Sequence, residues 1–463
     1  MIGGPFVLIV APLIAAAATF LLRRFASVSA LLAVLVSLAL AAWALWAPLS
    51  EPRAIFGRAI ILNDGDRIGI ALLFVVTSAL FLGVWRSSPG WTYYPIVLMA
   101  LAALAAALII RPPLNEFYPS FVYSALFMGI AIALTLFPLQ GGRPGVTRGA
   151  MRFIALTMLS LPALLLADWV LAQSTQSPDS PDLAQGATLL AALGFTFLLA
   201  IFPFHTWVPA VSRGAPPLST AFALAVFLGA ALVLLLDVLN ENPLFTSDLP
   251  TLELLRSAAL LMAGLGAMFA WTQSDFGRLL GYGAVGDMGA ILFAIGMTSS
   301  AGLAAAFFMI SIRAISVGLM SMGMTLARER LGDDSFTTLT GSAWRLPWAS
   351  IAIIAGGLSL AGLPPLAGFA GRWGLLQETS RLYPGATVVL LASGASVAMG
   401  VLRGLRVMLH PPSESVSAPA RERRSEVALI IAAVALCLFV GLFPGVLAPL
   451  AREFVAAYSF AVR

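Results

Sequence analysis

Lysine is absent from all 463 residues, so the 26 basic side chains are arginines, and the chain holds one cysteine and two histidines. The lone Cys437 excludes an internal disulfide, a cysteine-ligated cluster and a CxxC pair, and reads as a small core residue. With only His205 and His410, no HExxH and no GxxxxGK[ST] loop, the sequence predicts no metal and no cofactor, whether nucleotide, iron–sulfur, haem or zinc. No enzyme active site is legible, so redox or hydrolytic steps fall to partner proteins. Charge is scarce as well, at 10% of residues, which excludes an ordinary soluble surface.

What the chain has is apolar length. It is 60% hydrophobic with a mean hydropathy of +0.97, more apolar surface than a soluble core of this size hides. Windows long enough to cross about 30 Å of hydrocarbon fall near 5–22, 27–47, 68–86, 94–111, 117–138, 150–172, 185–204, 218–239, 251–271, 279–297, 302–327, 347–367, 384–403 and 427–450. They are too long and too rich in Ala and Leu for barrel strands, so the prediction is an all-α polytopic membrane protein of about fourteen helices. The first window lacks a basic leader and a small-residue cleavage site and reads as a retained span.

The net charge of +5 does not point to nucleic acid, because the arginines are spread over short loops. Alternate loops carry Arg23 and Arg24, Arg86, Arg143 and Arg148, Arg213, then Arg328, Arg330 and Arg345, and last Arg403, Arg406, Arg421, Arg423 and Arg424. The opposite set holds the acidic stretches around Asp179 and Asp182 and around Glu241 and Asp248. The positive-inside rule makes the arginine-rich side cytoplasmic, in the cell inner (plasma) membrane, with both termini outside. The Pro/Ser-rich, then basic, loop 408–426 reads as a flexible cytoplasmic linker or a docking site for a partner.

Helix breakers divide the chain. Pro203 and Pro209 bracket His205 at the end of the seventh window, and Pro364-Pro365, with Gly362, Gly368 and Gly371, interrupts the twelfth. Proline removes a backbone donor and clashes one turn back, so helices 7 and 12 are predicted to be broken. Two breaks five spans apart match an inverted pair of five-helix repeats, 94–239 and 251–403, after an N-terminal three-helix segment 1–93 and before a loop and last helix in 404–463. Kinks that only shape packing are the alternative.

FPFHTWVPAVSRGAPPLST (202–220) resembles the PFHxWxPxxxxGAPxPxST stretch of the antiporter-like subunits of respiratory complex I. QSDFGRLLGYGAVGDMG (273–289) is similar to their QTxxKRLLxYSSISHxG, SLAGLPPLAGFAGRW (359–373) to their SLAGxPPxxGFxGKF, and GAMRFIALTMLS (149–160) to the start of their sixth span. NDGDRIGIALLF (63–74) resembles the lead-in to their third span. The likeness covers about 94–405 and is nearest the N-type. The same fold serves multisubunit cation/proton antiporters, hydrogenases and inorganic-carbon uptake complexes.

The resemblance implies a midplane row of charge along which protons, or sodium, move, and partner membrane subunits around it. In this sequence the fifth-span glutamate position falls at Ser124 or Ala125, the seventh-span lysine at Thr196 or Leu198, the eighth-span lysine at Phe227 and the SISH histidine at Asp287. Arg152, Arg278, Arg313 and Arg372 stand where the family has lysines, and His205 is kept. A guanidinium stays protonated and cannot relay a proton by itself. Pathway candidates are therefore His205 and Asp287, with Arg152, Arg278, Arg313 and Arg372 holding charge. Intramembrane charges should face the bundle interior, Asp287 pairing with Arg313, while Asp275 and Arg278 form a local pair at the membrane edge. Three roles stay open: a proton-translocating subunit of a complex I-like NADH:quinone oxidoreductase or related assembly, a non-pumping scaffold subunit, and a free-standing transporter.

Overall fold

The computed structural model of the chain describes residues 4–46, 53–55, 58–85, 90, 92–111, 120–141, 146–176, 181–247, 249–411 and 422–461. Arg86, Arg143, Asp179, Asp248 and Arg421, which enter the charge bias above, lie outside the described residues, as does 412–421 of the long loop.

The chain is helical through most of its length. The N-terminal part contains α1 (Val7–Leu21), α2 (Ala26–Trp46), α3 (Asp64–Val84), α4 (Tyr93–Ile109), α5 (Val122–Gln140), α6 (Val146–Met158) and α7 (Ser160–Gln176). Next come α8 (Pro181–Leu198), α9 (Trp207–Gly214), α10 (Pro217–Ala221), a π-helical stretch Phe222–Phe227, α11 (Leu228–Glu241) and α12 (Pro243–Ser247). The remainder comprises α13 (Leu249–Thr272), α14 (Phe276–Gly296), α15 (Ser300–Leu331), α16 (Ser342–Arg345), α17 (Pro347–Ala361), α18 (Gly368–Leu382), α19 (Pro384–Met408), α20 (Arg424–Leu442) and α21 (Ala448–Ala456).

The all-α expectation needs one correction. A small antiparallel sheet joins β1 (Arg53–Ile55), β2 (Arg58–Ile60) and β3 (Ile110–Arg111), with Ala59 opposite Arg111. Backbone leaving a helix still needs hydrogen-bond partners, and these extended segments supply them to one another. The sheet ties the end of α4 to the start of α3 and so places Arg111 there.

Among the described residues ten helices are long and apolar enough to cross a membrane, and four shorter apolar ones are Val7–Leu21, Tyr93–Ile109, Asp182–Leu198 and Pro347–Ala361. Each apolar window of the sequence holds one of them. The α6–α7 stretch counts as one such helix, interrupted near Leu159, where the Pro162 ring opposes the carbonyl one turn back. Large side chains such as Leu21 (79% exposed) and Val388 (67%) face outward on these helices, a surface that water does not tolerate at this extent. The chain is a multi-pass membrane protein.

Burial orders the bundle. The window Pro217–Glu241 is 100% buried and Phe276–Gly296 94%, against 22% for Arg424–Leu442, so α10, α11 and α14 form the centre and α20 the rim. Close backbone approach sets the centre's packing: a Cβ at Gly281 would lie 2.6 Å from Pro209 Cα, so α14 meets α9 there only because position 281 is glycine. Glu422 closes the described end of the long loop by accepting hydrogen bonds from the backbone N–H groups of Trp348 (3.3 Å) and Ala349 (2.8 Å) at the start of α17.

Candidate functional site

Both predicted breaks are present, and they share one backbone design. After α8, Ala200 adopts a left-handed φ of 55° and the Ile201 N–H donates to Thr196 O at 2.9 Å, five residues back. After α17, Gly362 has φ 80° and the Leu363 N–H donates to Leu358 O at 3.1 Å, again five residues back. Phe202-Pro203 and Pro364-Pro365 are both cis. Each residue of the second break lies 162 positions after its counterpart, as 200 to 362 and 203 to 365 show. Pro209 breaks nothing: it sits in the first turn of α9, where a missing N–H costs no hydrogen bond.

The second break shapes an ionic site at the bundle centre. Asp287 of α14 faces Arg313 of α15, Nη1 to Oδ2 at 3.6 Å, and Arg372 of α18, whose Nη2 donates to Oδ1 at 3.4 Å. All three are buried, at 5%, 4% and 7% exposure. The Arg313 Nη2 also donates to Ala284 O at 3.3 Å. The Asp287–Arg313 pair is thus present, and Arg372 joins it because its side chain passes over Gly362: a Cβ there would meet Arg372 Cδ, and Nε at 3.1 Å. Around the same turn the Ser316 and Ser359 hydroxyls lie 2.7 Å apart, and Ser359 Oγ accepts from Gly368 N–H at 3.1 Å. One carboxylate against two guanidinium groups leaves this site net positive.

His205 lies in the first break, buried at 8% exposure, with its Nδ1 lacking a hydrogen-bond partner. Its ring stacks on Phe202 at 5.5 Å and lies 6.4 Å from Tyr282 of α14. Tyr282 precedes Asp287 by five residues, about 7.5 Å along the helix axis, so α14 is the element common to His205 and the ionic site.

Other residues of the predicted row stand elsewhere. Arg152 is exposed on the outer face of α6, which corrects the expectation that it faces the bundle interior; its long stem can carry the charge toward the headgroups. Arg278 is 46% exposed at the start of α14, 3.8 Å from Asp275, whose Oδ1 caps the helix by accepting from Arg278 N–H at 2.7 Å. Phe227, in place of a lysine, ends the π-helical stretch and stands edge-on to Phe153 at 5.6 Å, which meets Trp207 edge-on at 4.9 Å. A buried aromatic row fills that part of the bundle. Thr196 bonds its own helix, donating to Ala192 O at 2.7 Å, beside an apolar cavity of about 100 Å³ between α8, α11 and α13.

A second ionic cluster escapes sequence reasoning. Arg111 Nη2 lies 3.4 Å from Asp66 Oδ2, 3.2 Å from Asp237 Oδ2 and 3.4 Å from Glu241 Oε1, and the Tyr458 hydroxyl donates to Asp237 Oδ1 at 3.3 Å. Its parts come from α3, β3, α11 and the segment after α21. The only sequence signal is the Asp237/Glu241 spacing of one helical turn, which names no partner.

A sequence profile described as NADH:quinone oxidoreductase/Mrp antiporter, TM, matches residues 149–398, more than half of the chain and both breaks. The chain belongs to that family. Among curated relatives of this antiporter family, it is 29% identical over 394 residues to NADH-quinone oxidoreductase subunit N 2 of Acidobacterium capsulatum, covering 81% of this chain and 74% of that protein. Its fold is similar to that of a chain in an archaeal respiratory membrane complex, the membrane-bound sulfane sulfur reductase (TM-score 0.84, 17% identity, 98% of this chain and 97% of the other). It is also similar to a chain of respiratory complex I from Thermus thermophilus (TM-score 0.78, 20% identity, 97% and 99% covered).

Proposed function

We propose that this chain is a proton-translocating, antiporter-like membrane subunit of a complex I-like NADH:quinone oxidoreductase or a related multisubunit complex. The observation that carries the reading is the pair of equivalent helix breaks at one sequence offset, the second of which holds Arg372 against the buried Asp287. Broken helices expose backbone groups to a wet midplane, where transporters place their ion sites. The curated relative bears the name of a subunit of such an oxidoreductase, and the solved structures of similar fold are subunits of respiratory complexes, which supports other membrane subunits as partners.

In this reading the ten long and four shorter apolar helices make fourteen crossings, with both termini on the outer side of the plasma membrane. Repeat 94–239 provides α4 to α11 and repeat 251–403 provides α13 to α19, inverted about the membrane plane. His205 and Asp287 accept and release the proton, while Arg313 and Arg372 hold charge and water, because a guanidinium does not deprotonate at physiological pH. Sodium is the second candidate ion.

The buried row Trp207–Phe153–Phe227 favours the alternative, a scaffold subunit through which no proton passes. Reconstitution of the complex separates the two. His205→Ala or Asp287→Ala should abolish proton movement into vesicles while the complex stays assembled, whereas unchanged pumping in both variants would leave only the scaffold role.

A further inference from the structure

The Arg111 cluster lies at the end of α11 where the C-terminal segment docks through Tyr458, and it shares no residue with the Asp287 site or with either helix break. It gathers three carboxylates on one nitrogen of one guanidinium, at 3.4, 3.2 and 3.4 Å. The next cation along, Arg67, is taken up by Asp64 at 3.4 Å and by Glu453. Among the described side chains no second positive charge contacts these three carboxylates, and close carboxylates with one counterion do not all stay ionised in a buried site. Such a group holds a proton and shares it.

The cluster is also graded. Side-chain exposure rises from 0% at Asp66 through 3% at Asp237 to 25% at Glu241, so one end is sealed and the other is wet. Asp237 and Glu241 stand one turn apart on α11. Asp66 and Asp237 touch the same Arg111 nitrogen, at 3.4 and 3.2 Å, so the two carboxylates are neighbours around one guanidinium. Both oxygens of Asp237 are engaged, Oδ2 by Arg111 and Oδ1 by the Tyr458 hydroxyl. Asp66 differs: Arg111 reaches its Oδ2, but its fully buried Oδ1 has no hydrogen-bond partner. Asp66 is thus the sealed end of the group, and Asp237 stands between it and Glu241.

We propose that Asp66, Asp237 and Glu241, gathered on Arg111, form a proton-exchange site that opens through Glu241 at the end of α11 where the C-terminal segment docks. Glu241 takes a proton from water and becomes the neutral acid. It passes that proton to Asp237 and returns to carboxylate, and Asp237 passes it to Asp66 in the same way. The reverse sequence releases it, with no electron transferred. Tyr458 and Arg111 position Asp237. The site does not depend on transport through His205 and Asp287.

Infrared difference spectroscopy on the intact complex tests this in H2O and D2O. A carbonyl band of a protonated carboxylic acid should be present in the wild type, shift on exchange into D2O and disappear in Asp66→Asn or Asp237→Asn. Glu241→Gln should keep the band and slow its D2O shift by at least about tenfold, because the relay to water is cut. A wild-type spectrum with no band that these aspartate changes remove overturns the proposal. Should the aspartate variants fail to assemble, Glu241→Gln decides alone, and an unchanged exchange rate sinks the relay. Vesicle pumping by the His205 and Asp287 variants is read separately, so failure of the transport reading is not confused with failure of this site.

Discussion

Asp287 is a single negative charge held between two buried guanidinium groups, and that imbalance decides what its variants do. Asp287→Asn leaves Arg313 and Arg372 both without a counterion, a penalty of about 3–5 kcal/mol by analogy with buried pairs in soluble proteins. Arg313→Gln leaves one carboxylate facing one guanidinium and should cost much less. The double variant should be more stable than Asp287→Asn alone but less stable than Arg313→Gln, since Arg372 then stays uncompensated. Thermal unfolding in mild detergent gives this ranking, and a double variant no better than Asp287→Asn would dismiss the pairing. The Asp287–Arg313 contact was readable because two costly charges on neighbouring spans need each other. Arg372 was not readable as a third member, since its reach depends on the turn at Gly362. Arg152 shows the opposite limit: a charge within an apolar window says nothing of which way its helix face turns, and here it turns outward.

At the scale of elements, the two breaks carry the same backbone path on different residues. The first asks Ala200 to adopt a left-handed conformation, which costs an L residue roughly 1–2 kcal/mol, whereas Gly362 in the second adopts it freely. Ala200→Gly should therefore leave stability within about 1 kcal/mol of the wild type, the relief being offset by the larger entropy of glycine in the unfolded chain. Gly362→Ala should destabilise by more than that, because the added methyl both strains the turn and displaces Arg372 from Asp287. Paired thermal melts check the asymmetry, and equal effects would contradict it. Proline and glycine spacing made the existence of both breaks legible in the sequence. Their common hydrogen bond five residues back was not, since Ala200 carries no mark of a left-handed residue.

For the whole molecule the orientation is the open expectation. The arginine-rich loops should be cytoplasmic, so a cysteine at exposed His410 should be shielded from an impermeant thiol reagent in intact cells, while Arg452→Cys should react. The native Cys437 is buried and should stay silent in both. Labelling at 410 from outside would reverse the topology. Composition alone determined that the chain is a helical membrane protein: apolar windows of this length cannot fold in water, and lipid accepts only backbone that bonds within its own helix or a closed barrel. Breaker spacing added the two interrupted helices, because proline and glycine act on the backbone locally and leave the same trace in every context. Only the tertiary structure decided which helices are central, where Arg372 lands, and that Arg111, Asp66, Asp237 and Tyr458 converge from four distant stretches of chain. Burial of charge depends on what arrives from elsewhere, and no local pattern encodes that arrival.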